Sequence, residues 1–547
     1  MGWNQCVQSA GGIMPAKTLA AFRNVAIVGT GPTGLYTLHH LLQRGQKLTA
    51  TLFEAAPLAG VGSPYSPETT QASMLANIAS IEIPPLGETY LDWLRRQPDA
   101  MLQVYGVNAT TLHERQFLPR LLLGGWFRDA LERMIREANA QGHRIALREA
   151  ARVLDVEPVG AEYRVTFAAP SGTESLLFTH VVLATGHDWP DDPDHQDRHF
   201  VSPWSGLIEA KVPAQPVGIL GTSLSGIDAA MAVACQHGHF VEGEDTTYHP
   251  NPGSEGLKIT LMSRNGLIPE ADFWCALPYR PLVHVTEAAL AQAQAAGAEG
   301  LIDRLWHLFK LELSEADPAY ARAISLADLT PEAFASAYFA PRLAADPFVW
   351  AAENLAEVQR NTAQRRTVEW RYAILRMHEP METLVASFND RDRSRFEALQ
   401  RVFVDNYAAV PPQSIRRMLA LHRAGILTVL SLGDDYSLTH ADGKTLVLAE
   451  TGQEQTFAVY VDARGQRPLG LSDLPFPNLR AALGEGDGPV PISSSFALSE
   501  PHLAGIYLPA APYLLSRLPF VQGIVSSCDL GQEVARAIIP DAPEKLA

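Results

Sequence analysis

Residues 25–54 of the 547-residue chain read VAIVGTGPTGLYTLHHLLQRGQKLTATLFE, a stretch that leaves few folds open. Residues 25–28 form a short apolar run suited to a buried parallel strand. Gly29, Thr30, Gly31, Pro32, Thr33 and Gly34 follow at once, and Leu35, Leu38, Leu41 and Leu42 then recur at helical spacing. A second apolar run over 48–53 ends in Glu54, twenty positions after Gly34. Each part has a task. Gly29 permits a tight turn, Gly31 lets backbone approach a pyrophosphate, and Gly34 lets the helix pack close to the strand. The helix N-terminus offers N–H groups and the positive end of its dipole to phosphate. Glu54 stands where an acid accepts hydrogen bonds from an adenosine ribose. A lone GxGxxG also fits an ordinary glycine-rich loop. Here strand, glycines, helix, second strand and acid agree, and the stretch reads as a dinucleotide site.

A chain of this length exceeds one ordinary core and predicts two or three domains. With 47% hydrophobic and 19% charged residues, there is ample material for them. The net charge of −17 provides no basic field to attract phosphate backbones, which argues against nucleic-acid binding. Cys6, Cys235, Cys275 and Cys528 stand too far apart for a CxxC redox pair or a local zinc motif, and read as inert buried thiols. Residues 1–18 lack a secretory pattern and no apolar run reaches membrane-spanning length. The expectation is a soluble, cytoplasmic protein with no bound metal.

After Glu54 the prolines and glycines of 55–86 rule out a long helix. Helices are predicted over 89–96 and 120–139, a β-pair around 147–167, and a buried strand over 177–183 running into Ala184, Thr185, Gly186 and His187. His187 reads as a structural histidine. A second fingerprint-like unit opens at Val217: a strand over 217–220, the turn Gly221, Thr222, Ser223, Leu224, Ser225, Gly226, and a helix from Ile227. Ser223 replaces the middle glycine, and its Cβ makes close phosphate approach less certain. The next strand, 257–262, ends in Ser263 and Arg264 rather than in an acid. An arginine there can fork onto an adenosine 2′-phosphate, which an acid would repel; a solvated surface arginine is the alternative. From Glu287 to Arg423 the pattern turns helical without a heptad register. Arg360, Arg365, Arg366 and Arg371 in it read as a solvated face, or else as a clamp for a substrate carboxylate. Strands are predicted over 428–432, 445–448 and 457–461. The last enters a second small-residue turn, Asp462 to Pro468 with Gly465, read as the return to the first domain. A strand over 504–508 and a helix over 529–539 close the chain.

The order GTGPTG with a distal Glu, ATGH, GTSLSG with SR, and DARGQRP before a C-terminal helix resembles FAD- and NAD(P)H-dependent oxidoreductases with two Rossmann-like domains. GSPYSPETTQASMLANIASIEIPPL and ERQFLPRLLLGGWF carry a narrower similarity to bacterial flavin-dependent amine monooxygenases such as the nitrosuccinate synthases. The resemblance implies an α/β protein with two Rossmann-like domains and a helical insertion. Its parts are FAD-binding over 20–190, NADPH-binding over 191–286, helical over 287–425, NADPH-binding again over 426–456, and FAD-binding over 457–547. It puts FAD on Gly29, Gly31, Pro32, Thr33, Gly34, Glu54, Met74, Thr185, Gly186 and Gly465, and on Gln522, Gly523 and Ile524 ahead of the last helix, whose N–H groups would face the flavin. It puts NADPH on Gly221, Ser223, Ser225, Gly226 and Arg264. Asn77 either bonds the flavin or nicotinamide, as the one candidate catalytic residue, or steadies its own loop. The implied reaction has NADPH reduce FAD, and the reduced flavin pass oxygen, as a C4a-peroxide, to the nitrogen of a small amino-acid-like substrate. The rivals are an FAD-dependent NAD(P)H reductase that inserts no oxygen and a flavoprotein without catalysis. The partners implied are substrate and O2, with a homo-oligomer left open.

Overall fold

The computed structural model describes residues 23–189, 198–243, 245–484 and 486–541. Cys6 and the lead-in over 1–18 lie outside them. The fingerprint strand Asn24–Val28 sits at the centre of a five-stranded parallel sheet. The order is Ile506–Tyr507, His180–Leu183, Asn24–Val28, Thr49–Phe53, Arg144–Arg148. Its residues alternate between two cores. Val25 and Ile27 pack under the helices Pro32–Gln43, Arg120–Ala140 and Ile524–Ile538, whereas Ala26 and Val28 pack on the opposite face. That second face is covered by an antiparallel trio, Val153–Val159, Glu162–Ala169 and Gly172–Phe178. Burial on both faces explains why the strand is apolar throughout rather than alternating.

The second sheet repeats this plan with Leu427–Ser431, Lys258–Ser263, Pro216–Leu220, Val459–Asp462 and His199–Phe200, all parallel. The helix Leu224–His237 covers one face and the antiparallel Ser437–Ala441, Lys444–Leu448 and Glu454–Phe457 lie at the other. Gly218 keeps them close, because a Cβ there would stand 2.6 Å from the Phe457 ring. Between the two halves of this unit runs a series of helices from Glu287–Ala295 to Pro412–Arg423. Side chains of Thr286, Thr330, Asp346 and Asn389 cap several of them. Their core holds Leu305, Phe309, Phe334, Met377, Phe396 and Phe403, and takes in Phe520 from the chain's last stretch. No helix among the described residues is long and apolar enough to cross a membrane.

Several expectations are corrected. The predicted strand 457–461 does not return to the first sheet. Glu454–Phe457 ends the antiparallel trio, and Val459–Asp462 pairs with Pro216–Leu220 and His199–Phe200 in the second. The predicted strand 177–183 is two strands split at Thr179, one antiparallel and one parallel. The helices expected from Ile227 and over 529–539 begin earlier, at Leu224 and Ile524, because each starts directly on its loop. The solvated-face reading holds for three of the four arginines, and no four-arginine clamp forms. Arg360, Arg365 and Arg366 are exposed, while Arg371 is turned inward and bonded to Glu270. Of the cysteines, Cys275 is buried and Cys528 half-buried, but Cys235 is exposed.

Candidate active site

The first loop is set by contacts that only glycine allows. Gly29 has φ +94°, and a Cβ on it would lie 2.2 Å from the Ala184 carbonyl oxygen. A Cβ on Gly34 would lie 2.1 Å from Gly29 O. Gly31, the N-cap of Pro32–Gln43, is restricted only by Gly62 Cα at 3.3 Å. Glu54 points back at this loop. Its Oε2 accepts from Thr30 N at 3.2 Å and Thr30 Oγ1 at 2.6 Å, and its Oε1 from Ala56 N at 3.0 Å. Thr30 was missed in the sequence; a hydroxyl inside the glycine loop, with an acid at the next strand end, is the signal that could have found it.

The last helix joins the same place. Gly531 packs against the backbone of Tyr36 and Thr37, and Thr33 Oγ1 lies 3.2 Å from Ser527 Oγ. Two helix N-termini therefore stand side by side, one opening at Gly31 and one at Gly523 (φ +98°). Neither has a side-chain cap or an acid in its first turn, so their free N–H groups and dipoles are open to an anion. Gln522 is exposed and Ile524 buried. Thr185 and Gly186 lie exposed beside Gly29, at the end of His180–Leu183.

The second loop reproduces this build. Gly221 has φ +134° and its Cβ would meet Ala463 O at 2.6 Å; a Cβ on Gly226 would meet Gly221 O at 2.2 Å. Gly465 thus lies at the second loop, as Gly186 lies at the first, and not in the first unit as expected. Asp188 N donates to Gln466 Oε1 at 3.1 Å, which ties the two turns together. Ser223 is the N-cap of Leu224–His237, yet its hydroxyl makes no capping bond, and Ser225 and Gly226 fill the first turn. Thr222, Ser223 and Arg264 line a cleft of ≈ 600 Å³ whose far wall comes from the middle helices, including Arg342, Glu397 and Arg401. Arg264 is 61% exposed and pairs through Nε with Asp434 at 2.9 Å. A Cβ added at Gly186, Gly465 or Gly523 would meet nothing within 4 Å, so the space before both loops is free. The uncapped helices, that space and the glycine turns fit two dinucleotides.

Buried arginines hold the two units in register. Arg120 donates to Leu75 O at 3.0 Å and pairs with Asp228 of the second unit at 2.8 Å. Burial pushes the Asp228 carboxyl up to about 6, with Arg120 opposing it. Arg417 reaches back to Ser73 O at 2.6 Å. The loop so fixed contains Met74, which is buried, and Asn77, which is half-buried. Asn77 lines a compact chamber of ≈ 130 Å³ between the two units and the middle helices. Its walls include Glu82, Arg115, Asp272, His378 and Asn406, none of them signalled by a local motif. His187 packs on Trp189 with ring centroids 5.6 Å apart, and burial holds it neutral.

This is the architecture of a two-dinucleotide FAD/NAD(P)-binding oxidoreductase. Residues 26–188 match the family described as FAD-NAD(P)-binding, and residues 286–407 the YdhS-like middle domain. The chain is 47% identical over 526 residues to the uncharacterized protein YdhS of Escherichia coli (strain K12), covering 95% of this chain and 98% of that one. It belongs to the YdhS family. Among solved structures, the fold is shared with the ornithine hydroxylase PvdA of Pseudomonas aeruginosa. The reduced form has a TM-score of 0.52 at 13% identity, with 94% of this chain and 98% of that one covered. Another structure of that enzyme has a TM-score of 0.50 at 12% identity.

Proposed function

We propose that the protein is a monooxygenase that uses NADPH and O2 to N-hydroxylate the amino group of a small amino-acid-like substrate on FAD. The balance is R–NH2 + O2 + NADPH + H+ giving R–NHOH + H2O + NADP+. The observation that carries this reading is the division of the interior. Two loops of one build each face open space, and a separate compact chamber, with Asn77 in its wall, lies between them and the middle helices. The likeness of 62–86 to amine monooxygenases and the fold shared with ornithine hydroxylase support the same reaction type.

In this reading FAD supplies electron storage and oxygen activation. Gly29, Gly31, Pro32, Thr33 and Gly34 bind its pyrophosphate with Thr185 and Gly186 alongside, and Glu54 binds the ribose while still holding Thr30. Met74 and Asn77 border the ring. Gln522, Gly523 and Ile524 present a helix N-terminus that stabilises negative charge on the reduced ring. Gly221, Ser223, Ser225 and Gly226, with Gly465 nearby, hold NADPH phosphates, and Arg264 forks onto the 2′-phosphate.

The test is incubation of the FAD-loaded protein with NADPH, 18O2 and a panel of amino acids, followed by mass spectrometry. The expected product is a hydroxylamine carrying one 18O atom. NADPH consumption that yields only hydrogen peroxide with every amine overturns the oxygenase assignment in favour of a reductase.

A further inference from the structure

Stretches far apart in sequence wall the chamber beside Asn77: the loop with Glu82, the segment with Arg115 and Phe117, the segment with Asp272 and Cys275, and middle helices carrying His378 and Asn406. Asn406 is only 2% exposed. Its Nδ2 donates to the Tyr338 hydroxyl at 2.9 Å and to the Val402 carbonyl at 3.2 Å. Tyr338 gives its own proton to Asp405 at 2.7 Å, so towards Asn406 its oxygen can only accept. The amide is thereby fixed with nitrogen on that side, and Oδ1 is left buried with no donor. Such an acceptor stays costly until an N–H or O–H reaches it.

The two acids have similar unspent capacity. Glu82 Oε1 accepts from Ala79 N at 3.1 Å, and the adjacent Phe273 N–H favours the charged form of Asp272. The nearby cations spend their hydrogen bonds on other groups, though both still favour the charged form of Asp272. Arg371 bonds Glu270, while Arg115 donates to Cys275 O at 3.1 Å and lies 3.9 Å above the Trp274 ring. Burial raises the Cys275 thiol and Tyr279 hydroxyl and lowers His378, so these three wall groups are neutral near pH 7. Against the Asp272 and Glu82 carboxylates the wall sets one guanidinium, that of Arg115, which favours their charged forms, so the chamber keeps an excess of negative charge.

We propose that this chamber is an ammonium-binding site, in which the Asp272 and Glu82 carboxylates and Asn406 Oδ1 receive the N–H groups of a compact primary amine. The assignment deepens the amine-oxidising reading and rests on it for the reaction that follows. Asp272 then takes one ammonium proton. The N–H bond breaks, its electron pair stays on nitrogen as the lone pair that attack requires, and the proton forms an O–H bond on the carboxylate. Burial first, and then the Glu82 charge, push Asp272 from its ordinary 3.8 up to about 7, near the pH at which a base must work. Because the value is raised, Asp272 is neutral below about 7, and ammonium binding strengthens as pH rises through that point.

Calorimetric titration of the FAD-loaded protein with n-propylammonium chloride, and with propan-1-ol as the neutral isostere, tests this between pH 5.5 and 8.5. Propylammonium should bind roughly tenfold more tightly at pH 8 than at pH 6, and propanol roughly tenfold more weakly than propylammonium at pH 8. Asp272→Asn should remove the pH dependence. Glu82→Gln keeps the acceptor for Ala79 and should move the midpoint to lower pH, and it decides the matter if Asp272→Asn does not fold. Equal binding of alcohol and ammonium, or an unmoved midpoint in Glu82→Gln protein with native flavin content, overturns the assignment. Asp272-dependent propylammonium binding without hydroxylamine from any amine sinks the oxygenase reading and leaves the site standing. Hydroxylamine formation untouched by Asp272→Asn does the reverse.

Discussion

The two dinucleotide loops are near copies in backbone and differ in what surrounds them. Gly29 and Gly221 both have positive φ and both lie under an alanine carbonyl, Ala184 in one and Ala463 in the other. Gly34 and Gly226 each lie against the carbonyl of the loop's own first glycine. The middle position, however, is Gly31 in the first and Ser223 in the second, and the next strand ends in Glu54 in the first and Arg264 in the second. The first loop is flanked by a second helix N-terminus at Gly523 and by the loop at Gly62, whereas the second opens on a cleft of ≈ 600 Å³. Backbone contacts between strand, turn and helix fix the loop geometry, so both units keep it. Side chains at the open positions take no part in that backbone packing, so those diverge. A loop flanked by two further elements suits a resident cofactor, and one that opens on a cleft suits a cofactor that must leave each cycle.

Gly34→Val is the most damaging way to test this pairing, since the first added carbon would sit 2.1 Å from Gly29 O. It should give protein without flavin or no folded protein. Gly226→Val should instead leave a yellow protein that NADPH cannot reduce, as read by absorbance under anaerobic conditions. Loss of flavin from both variants would show that the units are not separable.

Arg120→Ala breaks the pair between the units while leaving Asp228 buried, with side-chain exposures of 11% and 9% for the two partners. Removing one partner of such a pair costs about 3–5 kcal/mol. Calorimetric unfolding should shift to lower temperature and split into two transitions. A single unshifted transition would mean that the units hold together without it.

For Arg264→Ala the expected loss in NADPH affinity is about 1.5–3 kcal/mol, or roughly tenfold to somewhat over a hundredfold, with NADH nearly unchanged. Equal losses for both nucleotides would assign Arg264 to the fold. Gly31→Ser makes the first loop resemble the second at its middle position. Gly62 Cα at 3.3 Å is the one close neighbour, so the protein should fold with its melting temperature little changed but hold FAD more weakly, measured by flavin retained after gel filtration. Full retention would mean that Gly31 does not face the pyrophosphate. The smallest effect is expected for Asp434→Ala. It frees Arg264 from an exposed pair worth about 0–1 kcal/mol, and should tighten NADPH up to about fivefold without touching NADH.

The sequence by itself determined what depends on neighbours along the chain. The run from Val25 to Glu54 carries strand, turn, helix and second strand in one stretch, and the same holds from Val217 to Arg264, so both loops could be read. The one misread turn, at Gly465, shows the limit. Its strand Val459–Asp462 has the same form as His180–Leu183, and short apolar strands do not carry the identity of the sheet they join. Only tertiary pairing decides that. Arg371 likewise looks like its exposed neighbours Arg365 and Arg366 until Glu270 draws it inward. The chamber of Asn77, Glu82, Asp272 and Asn406 is the extreme case. These residues come from separate segments that approach only when both sheets and the middle helices have packed, and the buried, unpaired Oδ1 of Asn406 exists only because Tyr338 and Val402 have already taken its nitrogen.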